Sequence, residues 1–370
     1  MSKPQVKNHH EPLIHITKRS SMEWWQAWLI RAAAIVAALA VSGVIIMALS
    51  GLNPFSVYAE MFRGNFGSSR KIWVMLQKTA ILLCISLAVT PAFKMKFWNC
   101  GAEGQTLAGC MATAACMIYW GDVTPWVLIP VMLIVSILAG AIWGIIPAFF
   151  KAKYNTNETL FTLMMNYVAI QLTAFLEIVW ENPKNSANVG VINLNTHGGW
   201  LPDLFGQKYL LNILVVVLVT VALSIYLKHS KQGYEISVVG ESQNTARYIG
   251  INVKKVIVRT MLVSGAICGL AGMLLVSGTD HTIATDTVGG QGFTAMMVSW
   301  LAKFNPVTMI LTSFLIIFLQ RGSSAIATTF GLNETLADII TGIILFFIIG
   351  CEFFIQYKVN FRHSHKGGKE

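Results

Sequence analysis

The chain has 370 residues, of which 55% are hydrophobic and 12% charged, with a mean hydropathy of +0.60. A soluble globular domain carries about 25% charged residues, so the composition excludes that class and points to a polytopic, all-α membrane protein. The formal net charge of +10 needs no nucleic-acid partner, because the basic residues track loop side and suit anionic membrane lipid.

About ten apolar runs approach the roughly 20 residues that cross some 30 Å of hydrocarbon. They are expected at 24–50, 72–93, 98–118, 124–149, 158–180, 209–227, 256–277, 290–303, 306–320 and 333–357. The first is too long, and lacks the small-residue cleavage pattern, for a signal peptide, so it is expected to stay as an anchor. Residues 1–23 and 358–370 are polar, basic tails, expected as flexible ends around a transmembrane domain spanning 24–357. Lys94 and Lys96, Lys151 and Lys153, Lys228, Lys231, Arg247, Lys254 and Lys255 fall in the same set of alternate connections as both tails. Fewer cations, Arg63, Arg70, Lys71, Lys184, Lys208 and Arg321, fall in the opposite set. Positive loops stay inside, so both termini are expected in the cytoplasm.

Along the chain, the first unusual stretch is 98–105, WNCGAEGQ. It places Asn99, Glu103 and Gln105 beside Gly101 where a span begins, and glycine permits a broken helix and close backbone approach. Its position just after Lys94 and Lys96 favours a structural or gating element over a solute ligand. In the run from 158 to 180, about 100° per residue puts Glu158, Thr162, Asn166, Thr173 and Glu177 within one arc of about 100°. Such a stripe avoids lipid. It reads as a solute-lining face through Thr162, Asn166 and Thr173, or as interhelical hydrogen bonding, which needs the same residue types.

The connection 181–208, rich in Asn, Gly and Pro, is an external lid, a docking surface or a linker. The connection 228–255 is large and basic, and within it Asn244 is the expected N-cap of a short helix through Thr245, Ala246, Arg247 and Tyr248. Gly240 and Gly250 bracket that helix. An exposed short helix on a cytoplasmic loop suits docking to a protein partner. Gly265 and Gly269 form a GxxxG, expected to pack a helix either within the chain or at a dimer interface. At 289–293, GGQGF brings an amide, Gln291, beside an aromatic ring, Phe293, a pair that suits a ring-shaped solute; glycine packing explains the same residues. Asp338 is an acid inside a span, a candidate gating or functional group unless it is merely solvated near the span's end. The six cysteines form no CxxC and lie at no metal spacing, so no metal is expected. No GxxxxGK[ST] is present, so a nucleotide would have to be bound by another chain.

The stretches NCGAEGQ, GYEISVVGESQNTARYIGINV followed by SGAICGLAG, and GGQGF together resemble the permease subunits of bacterial ATP-binding-cassette importers. The branch is that of ribose, branched-chain amino acid and nucleoside systems, and the likeness covers roughly 30–350. The resemblance implies the ABC importer permease fold, residence in the bacterial cytoplasmic membrane as a multi-pass protein, and alternating access. It implies a role for 228–255 as the coupling loop that rests on the ATPase, carried by Asn244, Ala246, Arg247, Tyr248, Gly250 and Ile251. It also implies partners: a cytosolic ATPase that binds the ATP and magnesium, a second permease that is commonly a different chain, and an external substrate-binding protein. The permease itself would hold no cofactor and do no covalent chemistry. The stretch NETLFTLMMNYVA is most similar to nucleoside or simple-sugar permeases, which implies a nucleoside solute, with ribose-type sugars or branched-chain amino acids as alternatives. Three departures stand out: Cys100 where the family has an aliphatic residue, Glu241-Ser242-Gln243 in place of Gly-x-Asn-Pro, and Ser299-Trp300 in place of a small-aliphatic run. Outside this class, an ion-coupled secondary transporter would use Glu103 or Asp338 as a proton site. An intramembrane enzyme would need HExxH, GxSxG or paired acids, which are absent.

Overall fold

The structure, a computed structural model, describes residues 14–19 and 23–361. The helices are α1 (Trp24–Ser50), α2 (Pro54–Phe66), α3 (Ser69–Lys94), α4 (Ala102–Tyr119), α5 (Pro125–Tyr154), α6 (Glu158–Val179) and α7 (Leu210–His229). They continue with α8 (Lys231–Glu241), α9 (Gln243–Tyr248), α10 (Val253–Leu275), α11 (Gln291–Leu301), α12 (Pro306–Phe330) and α13 (Glu334–Gln356). A π-helical turn, Val276–Asp280, extends α10, and two strands, β1 (Ile14–Lys18) and β2 (Tyr357–Phe361), flank the helices.

Polar side chains set many of the helix starts. Ser68, Asn157, Ser230, Ser242, Asn252 and Asn333 each accept a hydrogen bond from a backbone N–H in the first turn that follows, which satisfies one of the donors an α-helix leaves unpaired. Lysines close others: Lys94 ends α3, Lys151 and Lys153 end α5, and Lys228 ends α7. There they meet the negative end of the helix dipole.

The chain divides into two compact units, one of the residues up to Gly64 together with those from Leu319 onward, the other Asn65–Phe318. In the first, α1 packs on α13 and Arg31 pairs with Glu352 at 2.6 Å. β1 pairs antiparallel with β2, from Ile14 opposite Phe361 to Lys18 opposite Tyr357. This corrects the expectation of plain flexible tails: residues 14–18 and 357–361 are strands, and the apolar-polar alternation of IHITK is the signal that reading by composition passes over.

In the second unit, α3 and α10 are buried over most of their length, whereas α5, α6 and α7 bury a single face. The α5–α10 crossing brings two helix backbones together. A Cβ at Gly140 would overlap the carbonyl oxygen of Gly265, one at Gly265 that of Gly140, and one at Gly269 that of Ser136. The GxxxG therefore serves contact within the chain, where small residues let two backbones meet.

Among the described residues seven helices are long and apolar enough to cross a membrane: Leu29–Ser50, Ser69–Lys94, Pro125–Tyr154, Glu158–Val179, Leu210–His229, Val253–Asp280 and Pro306–Phe330. Two of the other three expected runs are shorter elements, and the third is a helix of 23 residues. The run 98–118 is α4, of 18 residues. The run 333–357 is α13, a helix of 23 residues. The run 290–303 is α11, only 11 residues, about 16 Å at 1.5 Å per residue, which is half a membrane.

Candidate functional site

Between the end of α3 and the start of α4 the chain leaves helical geometry, and at Asn99, Cys100 and Gly101 it is buried or half-buried, shielded from water. Side chains replace it. Asn99 Oδ1 accepts from the Gly101 N–H at 3.1 Å and from Gln105 Nε2 at 3.1 Å, while Asn99 Nδ2 donates to Ser264 Oγ at 3.0 Å. Asn166, one turn beyond Thr162 on α6, accepts from the Gly104 N–H at 2.9 Å and donates to the Cys100 carbonyl at 2.8 Å. Thr162 accepts from the Cys100 N–H at 3.2 Å. Asn99, Gln105, Thr162 and Asn166 are all buried, and an unpaired backbone group in an apolar interior would cost several kcal/mol.

Glu103 joins this start to another. Its Oε1 accepts from the Gly290 N–H at 2.8 Å and its Oε2 from the Gly292 N–H at 2.7 Å, so one carboxylate from α4 caps the N-terminus of α11. The negative charge meets the positive end of the α11 dipole. Position 292 has to be glycine, since a Cβ there would overlap the Glu103 backbone nitrogen. The likeness of GAEGQ and GGQGF thus corresponds to two broken helix starts packed head to head.

Gln291 and Phe293 begin α11. The Oε1 of Gln291 is buried without a hydrogen-bond partner, and so is the indole N–H of Trp143 on α5. Phe293, Met297 and Trp300 share one exposed face of α11, and Trp300 stacks on Trp98 with centroids 5.2 Å apart. The sequence carries that face as the i, i+4, i+7 spacing, which only becomes visible once α11 is known to be a helix.

The α6 stripe is engaged throughout by the protein. Glu158 pairs with Lys151 at 2.8 Å, Thr173 donates to the Ala169 carbonyl at 2.9 Å, and Glu177 accepts from the Thr285 N–H at 3.0 Å. Asp338 lies in α13, and its side chain falls outside the described residues.

On the far side of α7, α8 is fixed to the bundle. Glu235 pairs with Arg259 of α10 at 2.8 Å, and a Cβ at Gly240 would overlap the Lys94 carbonyl. The six-residue α9 projects beyond it. Asn244, Arg247, Tyr248 and Gly250 are exposed, Tyr248 by 92%, while Ala246 is buried and Ile251 half-buried. The cap of α9 is Ser242, which accepts from the Thr245 N–H at 3.2 Å, and not Asn244. A cap lies immediately before the first helical residue, and Asn244 is already inside the helix.

The connection 181–208 is tied down at the other end of α10. Ile192 N–H donates to the His281 carbonyl at 2.8 Å and Leu201 N–H to that of Ser277 at 3.1 Å. Trp200 stacks flat on the His281 ring, centroids 3.7 Å apart. Burial, with Lys208 and His197 nearby, pushes His281 down to about 4.

The sequence profile described as "Branched-chain amino acid transport system / permease component" matches residues 72–349. Among curated proteins the chain is 27% identical to a nucleoside ABC transporter permease protein of Lactococcus lactis subsp. cremoris, over 83% of this chain and 86% of that one. It is 29% identical to a guanosine ABC transporter permease protein of Bacillus subtilis, over 85% and 91%. It is 28% identical to a glucose ABC transporter permease protein of Haloferax volcanii, over 96% and 95%.

Proposed function

The chain belongs to the family of branched-chain amino acid transport system permease components, and from that premise we propose that it carries nucleosides through the cytoplasmic membrane as a permease subunit of an ATP-driven importer. It is a multi-pass membrane subunit, and hydrolysis of ATP falls to separate ATPase subunits. In this reading α9 rests on the ATPase, with Arg247 and Tyr248 as the main contacts, and ATP and magnesium are held by that partner and not by this chain. A second permease completes the pathway, an external binding protein delivers the solute, and both termini lie in the cytoplasm.

The observation that carries the mechanism is the mounting of α9. Its base is locked to the bundle by Glu235–Arg259, while its outer face is free, so a push on the helix is transmitted to α10 and not absorbed by a loose loop. Support for the solute comes from the nucleoside and guanosine permeases among the relatives. It comes also from the start of α11, where Phe293 offers an exposed ring for base stacking and, two residues before it, Gln291 holds a buried amide oxygen without a partner. Thr162, Asn166 and Thr173 frame the path from the α6 side, the first two through the α4 start they hold. A sugar is the second reading, favoured by the glucose permease relative.

The test is uptake of labelled adenosine, uridine, ribose, glucose and leucine by cells expressing the chain with its transport partners, with and without the ATPase. ATPase-dependent uptake of adenosine or uridine is expected. Dependence with a sugar or leucine instead would keep the mechanism and replace the solute, and uptake that persists without the ATPase would overturn both. Arg247→Glu combined with Tyr248→Ala should abolish copurification of the ATPase, and normal copurification would remove α9 from the contact.

A further inference from the structure

Where α5 ends and α10 begins, a cavity of about 550 Å³ lies between the two helices. Its rim carries Lys153 from the last turn of α5, Lys254 and Lys255 from the first turn of α10, and Arg259 one turn further along. Its wall is apolar, with Phe149 and Val258. Among the described residues Lys153, Lys254 and Lys255 form no ion pair. The one acid engaged at the rim, Glu235, is already paired with Arg259, whose Nε is buried without a hydrogen-bond partner. The Lys153 ammonium lies over the rings of Phe149 and Tyr154 at 5.5 and 5.2 Å, which draws its charge toward the helix surface and the cavity mouth.

Cations gathered around one hollow repel one another unless an anion sits among them. The position of the hollow decides which anion. It lies at the last turn of one membrane-spanning helix and the first turn of another, the depth at which lipid phosphates lie, and its wall runs from the charged rim into the spans. A free phosphate would satisfy the rim and leave the apolar wall wet. A phospholipid satisfies both, and basic pockets between spans at this depth suit lipid headgroups. The positive end of the α10 dipole adds to the same field. We propose that this cavity is a binding site for an anionic phospholipid, its phosphate among Lys153, Lys254, Lys255 and Arg259 and an acyl chain along Phe149 and Val258.

The test uses the purified chain in complex with its transport partners, and the probes are phosphatidylglycerol, phosphatidylcholine and glycerol 3-phosphate, with bound lipid read by native mass spectrometry. Phosphatidylglycerol is expected to bind at least tenfold more tightly than phosphatidylcholine. At about fivefold per lysine, K153Q/K254Q/K255Q should weaken it roughly 100-fold, while K153R/K254R/K255R should keep it. If the triple glutamine variant does not assemble, K153Q alone should show the fivefold loss. Equal binding of the two lipids, or unchanged phosphatidylglycerol binding in the glutamine variants, would overturn the proposal. So would competition by glycerol 3-phosphate at concentrations similar to the lipid, which would mark a plain anion site. Loss of phosphatidylglycerol binding on attachment of the ATPase would overturn it too, since a protein surface and not a lipid would then fill the hollow.

Discussion

Asn166 and Glu103 do for a membrane-embedded helix start what water does for one in solution. Asn166→Leu leaves the Gly104 N–H and the Cys100 carbonyl unpaired, at about 1–3 kcal/mol for each group. Uptake and the thermal unfolding midpoint should therefore fall together, whereas a fall in uptake at an unchanged midpoint would put Asn166 in contact with solute. Glu103→Gln turns a carboxylate that serves two N–H groups into an amide that serves one, a loss of about 1.5–3 kcal/mol. Faster hydrogen exchange at Gly290 and Gly292 is expected, and unchanged protection there would refute the capping role. His281 is depressed to about 4 from an ordinary value near 6.5. Above about pH 6.5 it is neutral in both folded and unfolded states and contributes no pH dependence. As pH falls from there toward 4, the unfolded form takes up the proton and the folded form does not, so stability is lost across that window. Proteolysis of 181–208 should thus accelerate between pH 7 and pH 5 and do so less in His281→Asn; equal acceleration in both would assign the effect to another group.

At the scale of elements, α9 offers a discriminating pair. Ser242→Ala removes the cap and should cost about 1 kcal/mol, seen as faster amide exchange across Thr245–Tyr248 and weaker ATPase binding. Asn244→Ala should leave that exchange unchanged, because its side chain caps nothing; the reverse ranking would restore Asn244 as the cap. This helix also shows what the sequence reveals and what it hides. Its existence and exposure follow from composition, but Ser242, Gln243 and Asn244 are all polar and the choice among them is made by backbone geometry. The same limit applies to α11: residues 290–303 have the apolarity of a span, and nothing local announces that Glu103, far away in sequence, caps its start inside the bundle. α2 passes unnoticed because PFSVYAEMFRGNF is too short and too polar to count as a span. By contrast, the polar side chains of α6 share a face as their spacing requires, and Gly265 and Gly269 meet another helix as GxxxG predicts.

For the molecule as a whole, the long spans are legible because hydrocarbon thickness fixes their length, and orientation is legible only as a bias in Lys and Arg. A direct check uses Phe205→Cys and Tyr248→Cys, both at sites more than 90% exposed and separated in sequence by the single span α7. The native cysteines are buried apart from Cys100, which is half-buried, so background is low. A membrane-impermeant maleimide should label position 205 in intact cells and position 248 only after permeabilisation; the opposite pattern would place both termini outside.

One carboxylate shared between two helix heads also removes a degree of freedom. Pulling α11 away from α4 would strand the Glu103 charge and two N–H donors, that of Gly292 buried and that of Gly290 half-buried, so a transport cycle that displaces one head has to carry the other as the same rigid body. Spin labels at the exposed positions 119 on α4 and 297 on α11 should keep one separation with and without ATP, and two separations would show that the heads come apart. Gating by this protein then becomes a matter of whole pieces turning against one another, with the hinges in the connections and not at the two broken helices.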